Sequence, residues 1–291
     1  MKLPPDTPEI IEYRCNICGS NNRLASREFH RELALCGNCG SNARFRGIIH
    51  VLANFFGDSD ENSLLAWPRR VLAKILGKDE IRPLKDWPRR KKLHGAGMSD
   101  WPGYANLLAD KFSYENTFYD RPPHLDIQNP APEQLGKYDF VISTDVFEHI
   151  LQPVQQGFDN LLALLKPGGC LIFSVPYSRS EQTVEHFPGL HEFEILDFRG
   201  GKILVNRDKD GTLKVYDNLI FHGGEGATLE MRLFCETDVL NRLAHAGFED
   251  ITVHQQPQLS IGYYWPELPS TDPDVPLYAY IVSARRPDSA S

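Results

Sequence analysis

The chain has 291 residues and a formal net charge of −8, with 41% hydrophobic, 24% charged and 11% aromatic side chains. That composition excludes a disordered, fibrous or collagen-like chain, and the length suits roughly two units of about 150 residues. No apolar run approaches the ~18 residues of a membrane span and the first residues lack an apolar signal region, so a cytoplasmic location is expected.

The first informative segment holds four of the six cysteines. Cys15-Asn-Ile-Cys18 and Cys36-Gly-Asn-Cys39 are each followed by Gly-Ser-Asn, so one short thiolate turn is repeated. Two such turns supply four sulfurs to a closed tetrahedral site, and the spacing is that of a structural zinc ribbon with Cys15, Cys18, Cys36 and Cys39 as ligands. The alternatives are two disulfides, which need an oxidising compartment, or an iron–sulfur cluster. Cys170 and Cys235 stand alone in apolar stretches and read as buried thiols.

Charge is uneven along the chain. Residues 69–92 carry a net +7, whereas residues 93–291 carry a net −14. Trp67-Pro-Arg-Arg70 recurs as Trp87-Pro-Arg-Arg90, with Val71, Leu72, Ile75 and Leu76 between them at helical spacing. The segment reads as an amphipathic connecting helix with a solvated basic face, or as a dock for an anionic partner.

From about residue 90 strands and helices alternate. Lys92–Gly97 predicts a strand ending in a glycine-rich turn, and Pro102–Phe112 a helix. Asn116–Asp120, Tyr138–Ser143 and Cys170–Val175 predict further strands, with a helix over Val154–Leu165 stopped by Lys166-Pro-Gly-Gly169. This alternation argues an α/β, doubly wound, mostly parallel sheet, with ligand bound at the carboxyl ends of its strands. Gly95 and Gly97 would let a backbone approach that ligand, and Asp120 would accept hydrogen bonds from ribose hydroxyls.

Tyr138-Asp-Phe-Val-Ile-Ser-Thr-Asp-Val-Phe-Glu-His-Ile150, followed by Asn160-Leu-Leu-Ala-Leu-Leu-Lys-Pro-Gly-Gly-Cys-Leu-Ile-Phe-Ser-Val-Pro176, resembles class I S-adenosylmethionine-dependent methyltransferases. Glu236–Phe248 is similar to the final helix of that family and Tyr278–Ala284 to its last strand. The resemblance implies a Rossmann-like fold, S-adenosylmethionine as cofactor, and a division into residues 1–56 (zinc ribbon), 57–89 (basic connector) and 90–291 (methyltransferase domain). A β-hairpin insertion is expected at about 178–228. The resemblance also implies that Gly95, Gly97 and Asp120 hold the cofactor, that Asp126 and Ile127 flank its adenine, and that Thr144 and Asp145 line its other side. The glycine motif departs from the usual pattern, and Asp100 is expected to take over an acidic role.

Methyl transfer from a sulfonium needs a positioned acceptor and, for a hydroxyl or carbon acceptor, a base. His149, just past the fourth strand, is the first candidate. The insertion adds His186, His191, His222 and Glu225, as acceptor ligands, bases, ligands of a second metal or parts of a hydrogen-bonded lid. The acidic catalytic half argues against RNA and for a polar small-molecule or glycan acceptor. The rival readings are an RNA methyltransferase gripping through the ribbon and the basic segment, and a non-catalytic binding module.

Overall fold

The computed structural model describes residues 1–3, 5, 7–56, 82–222, 228–265, 268 and 275–288, with residue 222 described by its backbone. The first Trp-Pro-Arg-Arg copy and most of the expected basic connector, residues 57–81, lie outside the described residues, as does Glu225.

Strands β1 (Ile10–Arg14) and β2 (Asn21–Ala25) pair antiparallel, and alternation turns Ile11 and Tyr13 inward. Both cysteine turns close identically. The Cys15 and Cys36 amides donate to the Ser20 and Ser41 carbonyls, and Gly19 and Gly40 donate back to Cys15 and Cys36. Gly19 and Gly40 sit at φ +81° and +76°, a region that disfavours a side chain. Helix α1 (Ala43–Phe56) then packs across the main sheet, and Phe56 meets Phe112 and Phe140.

The sheet is built from β3 (His94–Met98), β4 (Ser113–Thr117), β5 (Tyr138–Thr144) and β6 (Leu165–Ser174), all paired in parallel, with α2 (Pro102–Lys111) and α3 (Val154–Leu164) as crossovers. Next come the short strands β7 (Tyr177–Ser178) and β8 (Val184–Glu185), then an antiparallel meander of β9 (Glu192–Phe198), β10 (Gly201–Arg207) and β11 (Leu213–Tyr216). This three-stranded meander, two hairpins in succession, lies within the expected insertion and has a small core of Phe187, Leu204, Leu229 and Met231. Short strands β12 (Phe221–His222), β13 (Thr228–Leu229) and β14 (Arg232–Cys235) lead to α4 (Glu236–Ala246), whose first turn is capped by the Cys235 sulfur accepting from the Asp238 amide. The chain closes with β15 (Glu249–His254), β16 (Leu277–Tyr278) and β17 (Ile281–Arg285). The six-stranded order is β15-β17-β6-β5-β3-β4, with β17 antiparallel to both neighbours.

One continuous core joins the N-terminal module to this sheet, from Tyr13 and Cys36 through Ile48 and Leu52 to Phe140, Ile172 and Val282. Arg46, fully buried, fixes the joint: it donates to the carbonyls of Ser41 (2.6 Å) and Gly262 (2.8 Å) and stacks on Tyr13. The second Trp-Pro-Arg-Arg copy is structural. Trp87 is buried against Phe112, Arg89 pairs with Asp110, and Arg90 donates to the Phe56 carbonyl.

Gly95 and Gly97 lie inside β3 rather than in a turn. A Cβ on Gly95 would collide with the Phe140 ring, and one on Gly97 with Asp100 and the Tyr114 hydroxyl. Their requirement is therefore close packing behind the strand end. Gly95→Ala should destabilise the fold by about 1–3 kcal/mol through overpacking. An unchanged denaturant midpoint would show that the Phe140 ring can move aside.

Candidate functional site

The four cysteine sulfurs of the N-terminal module lie within 4.8 Å of one another. Cys15 and Cys39 are 3.8 Å apart and Cys18 and Cys36 3.7 Å, far beyond the ~2.05 Å of a disulfide. A tetrahedron with ~2.3 Å metal–sulfur bonds has edges of about 3.8 Å, so the cluster has the size of a single-ion S4 site.

At the carboxyl ends of the parallel strands lies a cavity of about 1360 Å³. Its first wall is Met98–Trp101 after β3, Thr117–Tyr119 after β4, Leu125–Gln128, and Thr144–Val146 after β5. Ser99 and Asp145 have φ of +58° and +55°, strained for non-glycine residues and located where both strands meet the cavity. Asp100 is buried, and the Tyr114 hydroxyl donates to its Oδ2, while Oδ1 has no hydrogen-bond partner. Burial raises its carboxyl to about 6. Asp126 accepts from the Gln128 amide and the Asn129 side chain, with Ile127 beside it on the wall.

The second wall comes from the N-terminal module: His30, Arg31, Glu32, Arg44 and Phe45. Arg31 donates to Asp145 at 2.6 Å and to Glu32 at 2.7 Å, and Arg44 reaches Glu32 at 2.8 Å and Asp145 at 3.6 Å. Burial pushes the Asp145 carboxyl up, but Arg31 and then Arg44 outweigh it and hold the group at about 2. Phe45 stacks on Trp101 at 4.8 Å, closing the seam between the two walls.

The third wall joins the segment after β5 to the insertion: Glu148–Leu151, Ser178, Ser180, His186, Glu230 and Met231. His149 Nδ1 lies 2.9 Å from the Leu229 carbonyl, and the Met231 amide donates to the Glu148 carbonyl at 2.7 Å. His186 Nε2 lies 2.8 Å from Glu230 Oε1. Buried Arg232 donates to the carbonyls of Phe147 and Ile150 and pairs with Glu185, which braces the loop carrying Glu148 and His149.

Of the residues expected to serve the site, Asp100, Asp126, Ile127, Thr144, Asp145 and His149 line this cavity together. Asp120 does not. Strand β4 ends at Thr117, earlier than expected, and the chain turns back through a bond from the Phe118 amide to the Pro123 carbonyl. Asp120 thus sits exposed near Arg121, off the cavity wall. His191 is also exposed and off the wall, because the meander packs on its own core. His222 contributes backbone to β12, and its side chain lies outside the described residues. Arg31, Arg44 and Glu230 escaped sequence reasoning: nothing in their local pattern points to a cavity more than a hundred positions away. Glu148 had a local signal, its place beside His149.

The family profile of a methyltransferase domain matches residues 94–209, which cover the parallel strands and most of the cavity wall. A search of curated proteins finds no match. Among solved structures, the chain is similar to the CMeT domain of the citrinin polyketide synthase, at 12% identity and a TM-score of 0.37, covering 72% of this chain and 50% of that one. The chain thus spans half the length of that relative. It is also similar to an S-adenosylmethionine-dependent methyltransferase from Clostridium acetobutylicum, at 13% identity and a TM-score of 0.36, covering 84% and 99%. A third is the 1,6-didemethyltoxoflavin-N1-methyltransferase of Burkholderia thailandensis, at 12% identity and a TM-score of 0.34, covering 86% and 92%. Among the described residues no helix is long and apolar enough to cross a membrane. The profile falls on the strands that carry the cavity, so residues 94–209 match a methyltransferase domain, and a four-cysteine module precedes them.

Proposed function

We propose that the chain methylates a polar small molecule, a sugar or glycan acceptor, in a reducing, cytoplasmic setting, with a structural zinc ion held by Cys15, Cys18, Cys36 and Cys39. The observation that carries the reading is the cavity at the strand ends, with carboxylates on a partly apolar first wall and imidazole and carboxyl groups on the third. Asp100, whose buried Oδ1 lacks a partner, suits the cationic amine of an amino-acid tail. Met98, Leu125 and Ile127 beside Asp126 suit a flat heteroaromatic ring with a ribose. When bound, S-adenosylmethionine supplies an electrophilic methyl group. The protein's part is to hold the acceptor in line, exclude water and receive a proton, for which His149 on the third wall is the base we assign.

Incubating the metal-loaded protein with isotopically labelled cofactor and a panel of sugars, nucleotide sugars and short glycans tests the reading. Label should enter a member of that panel and not RNA. Transfer to RNA alone, weakening steeply with salt, would overturn it.

A further inference from the structure

We propose that the acceptor is amphiphilic, and that the aliphatic face of the small sheet β16-β7-β14-β8 seats an alkyl chain carried behind its polar group. The inference rests on reading the cavity as the methyl-transfer site for a sugar acceptor and names what else that acceptor carries.

The register of four short strands carries the argument. Tyr177 lies opposite both Phe234 and Tyr278, and Arg232 lies opposite Glu185, so these side chains share one face. That face belongs to the core, with Tyr177, Phe234 and Arg232 buried. Alternation sends Leu277, Ser178, Leu233 and Val184 to the other face, and all four line the cavity. Leu268, bridged to Leu277, lines it with them. The strand order sets Val184, Leu233, Ser178 and Leu277 in a row across the sheet, about 14 Å long at ~4.8 Å per strand. A strand face turned to water normally carries polar side chains. Here Val184, Leu233 and Leu277 are aliphatic, and Val184 is 52% exposed. Aliphatic surface held open inside a cavity favours an apolar ligand in proportion to the area covered.

The row is tied to the segment that carries His149. Glu185, next to Val184 on β8, accepts from the Gln152 side chain at 2.8 Å and pairs with Arg232 at 2.8 Å. Arg232 in turn donates to the Phe147 and Ile150 carbonyls, on either side of His149. Leu151, which follows, lies on the cavity wall as well. An acceptor whose polar group meets His149 therefore has an apolar path from Leu151 across Val184 and Leu233 to Leu277. The size of the cavity agrees. Its volume of about 1360 Å³ exceeds the ~300–1,000 Å³ of a pocket for one drug-sized ligand, so it suits the cofactor together with a second, extended molecule.

The test uses the full-length, metal-loaded protein and a chain-length series: methyl, butyl, hexyl and octyl β-glucosides, repeated with β-galactosides, all below their micelle concentrations. Binding is measured by calorimetry with S-adenosylhomocysteine present, and transfer by mass spectrometry with labelled cofactor. Affinity should rise with chain length, by up to about fourfold per buried methylene, so that an octyl glycoside binds at least a hundredfold more tightly than its methyl counterpart. Val184→Asp should cut that ratio below tenfold, and Val184→Trp should halt the rise at a shorter chain. Thermal melting shows whether each variant is folded, and Leu277→Asn is the second polar variant. Equal affinity along the series, including no binding by any member, would overturn the inference. So would a chain-length dependence unchanged in both Val184→Asp and Leu277→Asn, because the chain would then lie elsewhere. Label entering free sugars with no gain from a chain would overturn it while leaving the sugar reading standing. Label entering a chain without a sugar, such as octylamine or octanoate, would support it and remove the sugar.

Discussion

Cys36→Ser should release the metal, loosen the N-terminal module and abolish methyl transfer, the largest effect of any single side chain in the described residues. A structural S4 site closes only with all four sulfurs, and apparent zinc-binding energies in small finger peptides reach about 10–16 kcal/mol. Here the module is not a detached appendage. Its core runs into the main sheet, Arg46 ties it to Gly262, and Arg31 and Arg44 form a wall of the cavity. Losing the metal therefore removes both stability and the second wall. The variant should show no bound zinc, a lower Tm and no turnover. Full metal content with unchanged Tm would mean that Cys36 is not a ligand.

Arg31→Ala should cost about 1.5–3 kcal/mol, because it removes the charge-assisted bond from a buried guanidinium to the half-buried Asp145 carboxylate rather than trimming a surface pair. Arg31 is 5% exposed and bridges Asp145 and Glu32, and Asp145 stands in the left-handed region at the end of β5. Arg44, at 3.6 Å from Asp145, is too distant to replace the 2.6 Å bond. Arg31→Lys should recover little, since an ammonium cannot reach both acids as the guanidinium fork does. The sign with pH follows from the depressed Asp145 carboxyl. Its contribution is complete above the unfolded value of roughly 3.9 and is lost as pH falls towards about 2. Acid denaturation between pH 4 and 2 should accordingly be steeper in the wild type than in Arg31→Ala. A denaturant midpoint unmoved by Arg31→Ala would mean that the latch contributes no stability.

The parallel sheet was legible because its strands are continuous apolar runs, as Tyr138–Ser143 and Cys170–Val175 are, and because a helix with a glycine stop separates them. The cysteine pairs were legible because metal ligation imposes a short fixed spacing. Legibility failed where a position depends on where a strand ends. Asp120 was expected at the tip of its strand, but pairing with β3 stops at Thr117 and the following turn carries Asp120 outward. Gly95 and Gly97 look like a ligand loop in sequence and serve in the fold as space for Phe140, Asp100 and Tyr114. The second and third walls were invisible for another reason. Arg31 meets Asp145, and Glu230 meets His186, only through tertiary contacts that leave no local period.

Calorimetric titration of the metal-loaded protein with S-adenosylmethionine, repeated from pH 5 to 7.5, bears most directly on the cavity as the cofactor's seat. Binding should be one to one. Because a ligand ammonium stabilises the ionised Asp100 carboxyl, which burial holds at about 6, affinity should rise through that pH with release of a proton. Asp100→Asn should bind more weakly and lose that pH dependence. No binding heat at any pH, or wild-type affinity and pH dependence in Asp100→Asn, would contradict the assignment of the cavity.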